Sequence, residues 1–176
     1  MKLESETFTH ADVRKFLDEF AVHESTVLAN RLEKASARLA ELAPKVSKGS
    51  ASGGEGWNGH EVLAHIAVLS KFYGVVAHKI SSGQMSELDL LSNVNLRDTM
   101  GDQLAGLDPT ELVEMAIKDH ARTIKLLRST DANSLRRAVK LEDGSTLTAE
   151  DVLRFPLVNH LELHVEQLER TLIENS

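Results

Sequence analysis

The stretch VNHLELHVEQLERTL, residues 158–172, decides how the chain is read. Val158, Leu161, Val165, Leu168 and Leu172 recur at intervals of three and four, the apolar stripe of a helix that buries one face. His160 and His164 stand one turn apart on the flank of that stripe, in line with Leu153 and Leu157. Residues four apart share a helix face, so two imidazole nitrogens at this spacing can converge on one ion. Glu162 falls two residues after the first histidine and points away from their shared side, so the general base of a metalloprotease helix is not supplied here. Such a segment needs partner helices to bury its stripe and a third ligand to complete a metal site.

Three other segments carry the same period. The first runs from about Thr9 to Ala43. Thr9 and Asp12 form a capping box there, Phe8 and Val13 are placed as a hydrophobic staple, and Pro44 leads into the linker KVSKGSASGGEG. The second runs from about Asn58, an N-cap with Glu61 three residues on, to Ile80. The third starts at Asp108-Pro109 with Glu111 completing the box, and ends near Ser129. The helix of the opening stretch begins around Thr148, with Asp151 in its first turn, and runs to about Ile173. Four amphipathic helices predict an all-α fold, a four-helix bundle, in one domain covering 1–176. Residues 81–107 are too many for a tight turn, so a long crossover is expected between helices 2 and 3, which then run parallel. That crossover is also placed to form a lid with a short helix of its own. Asp143-Gly144 between AVKL and STLT predicts a small β-hairpin before helix 4.

Composition removes several classes of function. The net charge of −7, from 20 basic and 27 acidic residues, argues against a nucleic-acid partner held through phosphates. Aromatics at 4% leave no platform on which bases would stack. No apolar run is long enough to span a bilayer and the N-terminus lacks a signal-peptide layout, so no membrane partner and a cytoplasmic location are expected. The absence of cysteine excludes disulfides, thiolate metal sites and cysteine nucleophiles.

The remaining question is which polar side chains point inward. On helix 2 the apolar arc is Val62, Ile66, Leu69, Phe72, Tyr73, Val76 and Ile80; His65 falls inside it, whereas His60 and His78 project to the solvent side. On helix 3, His120 lies among Val113, Ala116, Ile117, Ile124 and Leu127. On helix 1, Glu24 lies between Phe16, Phe20, Val27 and Leu28, with His23 beside it. A lone inward histidine is ordinarily a hydrogen-bonded core residue. Three buried imidazoles without a metal would each need separate partners, whereas one ion satisfies them all. His65, His160 and His164 are therefore the candidate ligands. His120 reads as core or as a support behind the ligands. Glu24 reads either as an acceptor for a ligand N–H or as a surface residue of a bent helix.

These motifs also carry a family resemblance. GWNGHEVLAHIAVLSKFYG resembles the second-helix motif of the DinB-like superfamily, in which a tryptophan precedes a helix with a single histidine. FPLVNHLELHVEQLERTL is similar to its last helix, whose H-x3-H pair completes a metal triad. LLSNVNLRDTMGDQLAGLDPTELVEMAIKDH and LEDGSTLTAEDVL resemble the branch containing mycothiol-dependent maleylpyruvate isomerases. The resemblance implies an up-down-down-up bundle and maps the family ligands onto His65, His160 and His164. The isomerase branch typically has glutamate where this chain has His160, so the site resembles the all-histidine members instead. It further implies a divalent metal and a low-molecular-weight thiol (mycothiol, bacillithiol or glutathione) acting on a small-molecule substrate in a transferase or isomerase. Zinc suits three imidazoles and an open position best; nickel, iron and manganese accept the same donors. A homodimer through bundle helices is compatible with that family. Arg97, placed to hold a carboxylate, and Glu61 are the candidates for catalytic side chains. Two other functions fit the same pattern: a metal-dependent hydrolase, and a non-catalytic stress-response or binding bundle. A di-iron carboxylate bundle ranks last, because the chain contains no Glu-x-x-His.

Overall fold

The helices begin where their capping residues stand. In the computed structural model, which describes residues 9–49, 57–89, 104 and 106–174, α1 spans His10–Leu42, α2 spans Gly59–Ser81 and α3 spans Pro109–Ser129. Thr9 with Asp12, Asn58 with Glu61 and Asp108 with Glu111 form capping boxes at these starts, as Thr148 with Asp151 does at the last helical element, each satisfying backbone N–H groups that a helix start leaves bare. A short helix, α4 (Ala132–Leu135), leads into β2 (Ala138–Leu141) and β3 (Thr146–Thr148). This is the predicted hairpin, turned through Gly144 at a φ of 82°. β2 also takes a parallel partner that the sequence pattern did not announce, β1 (Glu87–Leu88). The last helical element starts as α5 (Ala149–Val152), widens into π-type turns over Leu153–Asn159, and continues as α6 (His160–Glu174).

Hydrogen-bond register gives the direction of each neighbouring pair. Between α2 and α3 the partners keep a nearly fixed separation: His60 to Leu107 spans 47 residues and Ser70 to His120 spans 50, so the two run parallel. Between α1 and α3 the separation grows from 84 at Ser36–His120 to 95 at Glu33–Arg128, the mark of antiparallel helices. Between α1 and the last helix it is again nearly constant, 130 at Glu24–Arg154 and 131 at Arg31–Glu162, so these also run parallel. The order is up-down-down-up, a four-helix bundle with its long crossover between α2 and α3. α3 and α6 each touch both α1 and α2, which leaves α1 and α2 on the diagonal.

Arginine–glutamate pairs tie α1 to the last helix. Arg154 reaches Glu24 at 2.8 Å, Arg31 reaches Glu162 at 2.5 Å and Asn159 at 2.7 Å, and Arg38 pairs with Glu169. These pairs are half-exposed, so they set register more than they add stability. Their spacing also exposes the wide turn. On α1 the partners Glu24 and Arg31 are one heptad apart, but the separation to the last helix gains one residue between them. That extra residue belongs to the π-type segment, which holds Pro156. Proline has no N–H to give and its ring crowds the carbonyl four residues back; a widened turn absorbs both faults. The uninterrupted helix 4 expected from periodicity is thus corrected.

The core is formed by the expected stripes, with Leu28, Leu32 and Leu39 of α1, Ile66 and Ile80 of α2, Leu112 and Leu127 of α3, and Leu153 and Leu168 of the last helix almost fully buried. The start of α1 departs from expectation. Phe16 and Phe20, read as part of the inward seam, are 61% and 55% exposed. α1 has 33 residues against 23 in α2 and 21 in α3, and its first turns find little to pack on. The staple partner Phe8 lies outside the described residues, as do most of the crossover and its expected lid.

α2 and α3 approach closely at Gly74, where an added Cβ would sit 2.8 Å from Thr123 Oγ1. Gly74→Ala is therefore expected to destabilise the fold by about 1–2 kcal/mol, overpacking outweighing the gain in helix propensity. Combining it with Thr123→Ala should recover most of the loss. Urea unfolding midpoints of the two variants check this; equal loss in both would mean the contact is not what matters.

Candidate metal centre

The site lies between antiparallel α2 and α6. His65 stands in the second turn of α2, on the side facing α6, and His160 and His164 occupy the first turns of α6. Each is half-buried, and one ligand nitrogen from each lies within 4.8 Å of the others. Ring centroids are 4.6 Å apart for His65 and His164, 5.4 Å for His65 and His160, and 4.4 Å for His160 and His164. No other cluster of this kind occurs among the described residues.

Two contacts orient His164. Its Nδ1 is 2.9 Å from Gln167 Oε1, and its Nε2 is 2.8 Å from His160 Nε2. An amide oxygen only accepts, so Nδ1 carries the proton and donates it, leaving the Nε2 lone pair directed at His160. Burial pushes the His164 pKa below its ordinary value, with the Gln167 bond opposing it, so the ring is neutral at neutral pH. A single N–H···N bond would satisfy the His160–His164 pair alone; a cation placed among the three rings would satisfy all of them. Gln167 was not among the residues singled out from sequence, although its place three residues after His164 on the same helix could have suggested it.

Trp57, the residue before the Asn58 cap, completes the wall. Its indole meets His65 edge-on at 4.5 Å, stacks on His164 at 6.0 Å, and is 47% exposed. An aromatic ring with one side on the triad and the other in water forms part of the site's solvent-facing rim.

The other candidates have different tasks. Glu61 Oε2 accepts the Asn58 N–H at 2.8 Å as half of a capping box. Glu24 accepts from Arg154, so its reading as an acceptor for a ligand N–H gives way to an interhelical ion pair. His120 is buried with Nδ1 3.0 Å from Ser36 Oγ and Nε2 2.7 Å from Ser70 Oγ, so both nitrogens are spent in the core. Glu162 points to Arg31, away from the triad, as its spacing required. Arg97 lies outside the described residues. His78 is exposed as expected, but His60 is only 3% exposed, against the solvent-side reading. Its face of α2 is covered by the chain entering α3, a burial that the period of α2 alone does not reveal.

The chain is an up-down-down-up helical bundle that brings three imidazoles together between two facing helices. It belongs to the DinB superfamily, whose model matches residues 13–168. Among solved structures, the mycothiol-dependent maleylpyruvate isomerase is similar at 19% identity and a TM-score of 0.64, covering 84% of this chain and 60% of that one. A mutant of the same enzyme is similar at a TM-score of 0.65, again with 19% identity and coverage of 84% and 60%. The chain thus spans about 60% of the isomerase's length. YfiT from Bacillus subtilis, described as "a probable metal-dependent hydrolase with an unusual four-helix bundle topology", is similar at 18% identity and a TM-score of 0.62, covering 83% of this chain and 86% of that one. At such identities these likenesses establish the fold. No curated protein matches the chain in sequence. Among the described residues, no helix is long and apolar enough to cross a membrane.

Burial holds the His120 pKa down at about 4. A histidine kept neutral in the fold but free to protonate when unfolded contributes stability above about pH 6.5 and loses it as the pH falls to about 4. The expected loss over that window is about 3 kcal/mol. His120→Gln, which keeps a donor and an acceptor between the two serines, should flatten this limb in pH-dependent urea titrations. An unchanged limb would assign the acid sensitivity elsewhere.

Proposed function

We propose that the protein is a metal-dependent enzyme that uses a low-molecular-weight thiol on a small-molecule substrate, as a transferase or isomerase. The observation that carries this reading is the convergence of His65, His160 and His164 in a DinB-superfamily bundle. The donor set fits a divalent ion: three nitrogens from two facing helices, with His164 neutral and oriented by Gln167. Zinc is the first choice for three imidazoles with a position left open, and nickel, iron and manganese take the same donors. When bound, such an ion supplies Lewis acidity that makes a coordinated thiol or water easier to deprotonate near neutral pH.

The chain's own part is to position and to shield. α2 and α6 hold the three rings at fixed separations, and Arg31 on Glu162 and Asn159 secures the outer face of α6 behind them. Trp57 covers one side of the triad and narrows its contact with water. The thiol reading draws support from the isomerase neighbours, described as mycothiol-dependent. Hydrolysis at the same centre is the second reading, favoured by the nearly full mutual coverage with YfiT.

Metal stoichiometry by mass spectrometry on tag-free protein tests the site. About one ion per chain is expected, with most of it lost in His164→Ala while helix content stays near wild type. Equal metal in both would remove the triad from the proposal. With metal in place, consumption of an electrophile only when thiol is added supports the transferase or isomerase; turnover without thiol supports the hydrolase.

Gln167→Ala should weaken metal affinity by about 10- to 100-fold without unfolding α6, because His164 loses the acceptor that sets its tautomer. Trp57 is the only tryptophan in the chain and touches two of the rings, so its fluorescence can report the titration. An unchanged affinity would mean that Gln167 does not orient the ring.

A further inference from the structure

His60 stands apart from the metal centre and has a problem of its own. Its Nδ1 lies 3.2 Å from the carbonyl oxygen of Gly49, and its Nε2 lies 2.8 Å from the carbonyl oxygen of Leu107. Carbonyl oxygens accept and never donate. A neutral imidazole has one N–H and one bare lone pair, so it can serve only one of them. The other contact would then set lone pair against lone pair at a residue that is 3% exposed, with little access for water to intervene. The protonated ring has an N–H on each nitrogen and satisfies both carbonyls.

We propose that His60 is a doubly protonated clasp, an imidazolium that ties the linker after α1 and the approach to α3 onto the first turn of α2. The charges around it fit. Lys48 and Asp108, each next in sequence to one of the clasped carbonyl residues, pair at 3.8 Å. Glu61 and Glu111 place carboxylates on the N-cap backbones of α2 and α3. The charged groups carried by these segments are one cation and three anions, and a carboxylate stands at the start of each of the two helices. Two independent ties, the ring and the Lys48–Asp108 pair, therefore join the same two segments.

A singly protonated ring has one N–H to give: Leu107, at the shorter distance, would keep it, and Gly49 would be released.

The decisive measurement is a long-range nitrogen–proton correlation spectrum of the imidazole rings in the wild-type protein at neutral pH, with His60 assigned through its backbone. The expected result is two protonated nitrogens on His60. One protonated and one bare nitrogen would overturn the proposal, whatever the metal site does.

Discussion

α2 has almost no solvent face along its first half, and the arrangement of the polar groups in the bundle follows from that. From Val62 to Ser70 every residue except His65 is buried, and His65 is half-buried. A polar side chain there cannot rely on water and must find its partner inside the protein. Three of them do so in three directions. His60 meets backbone carbonyls from two connections, His65 meets the pair on α6, and Ser70 meets His120 on α3. The parallel packing of α2 and α3, close enough at Gly74 to exclude a methyl group, keeps the His120 network in register with the triad on the neighbouring face.

Much of the fold was legible because it is written in local signals. Capping boxes at Thr9, Asn58 and Asp108 place three helix starts, and the Asp143-Gly144 dipeptide places the hairpin. The length of the 81–107 segment allowed parallel helices, and the hydrogen-bond register shows them. Features that depend on distant contacts were not legible. β1 has only two residues and exists because β2 is beside it. The exposed Phe16 and Phe20 have the spacing of a core stripe, and nothing local says that their partners stop short.

The histidines divide along the same line. The spacing of His160 and His164 on one helix, and the inward phase of His65, made their convergence readable from periodicity. His120 was correctly placed inside, but its partners, Ser36 and Ser70, are 84 and 50 residues away. His60 was misread because a helical wheel assumes one wet face. The chain entering α3 covers that face, and no period within α2 records it. Glu24 had the right phase for the seam, but Arg154 from the last helix claims its carboxylate.

The wide turn before His160 carries a lesson about how this sequence can vary. The ion pairs between α1 and the last helix slip by one residue across it, so the segment behaves as a one-residue insertion in an otherwise regular helix. Both imidazoles lie downstream of that insertion. A regular helix given one more residue would turn everything after it by about 100°, and the wider turns take up that rotation. His160 and His164 therefore keep the phase set by α5 and face His65, and Glu162 and Glu169 still meet their arginines. The irregular stretch is a phase correction: the chain carries one residue more here without turning its imidazoles away.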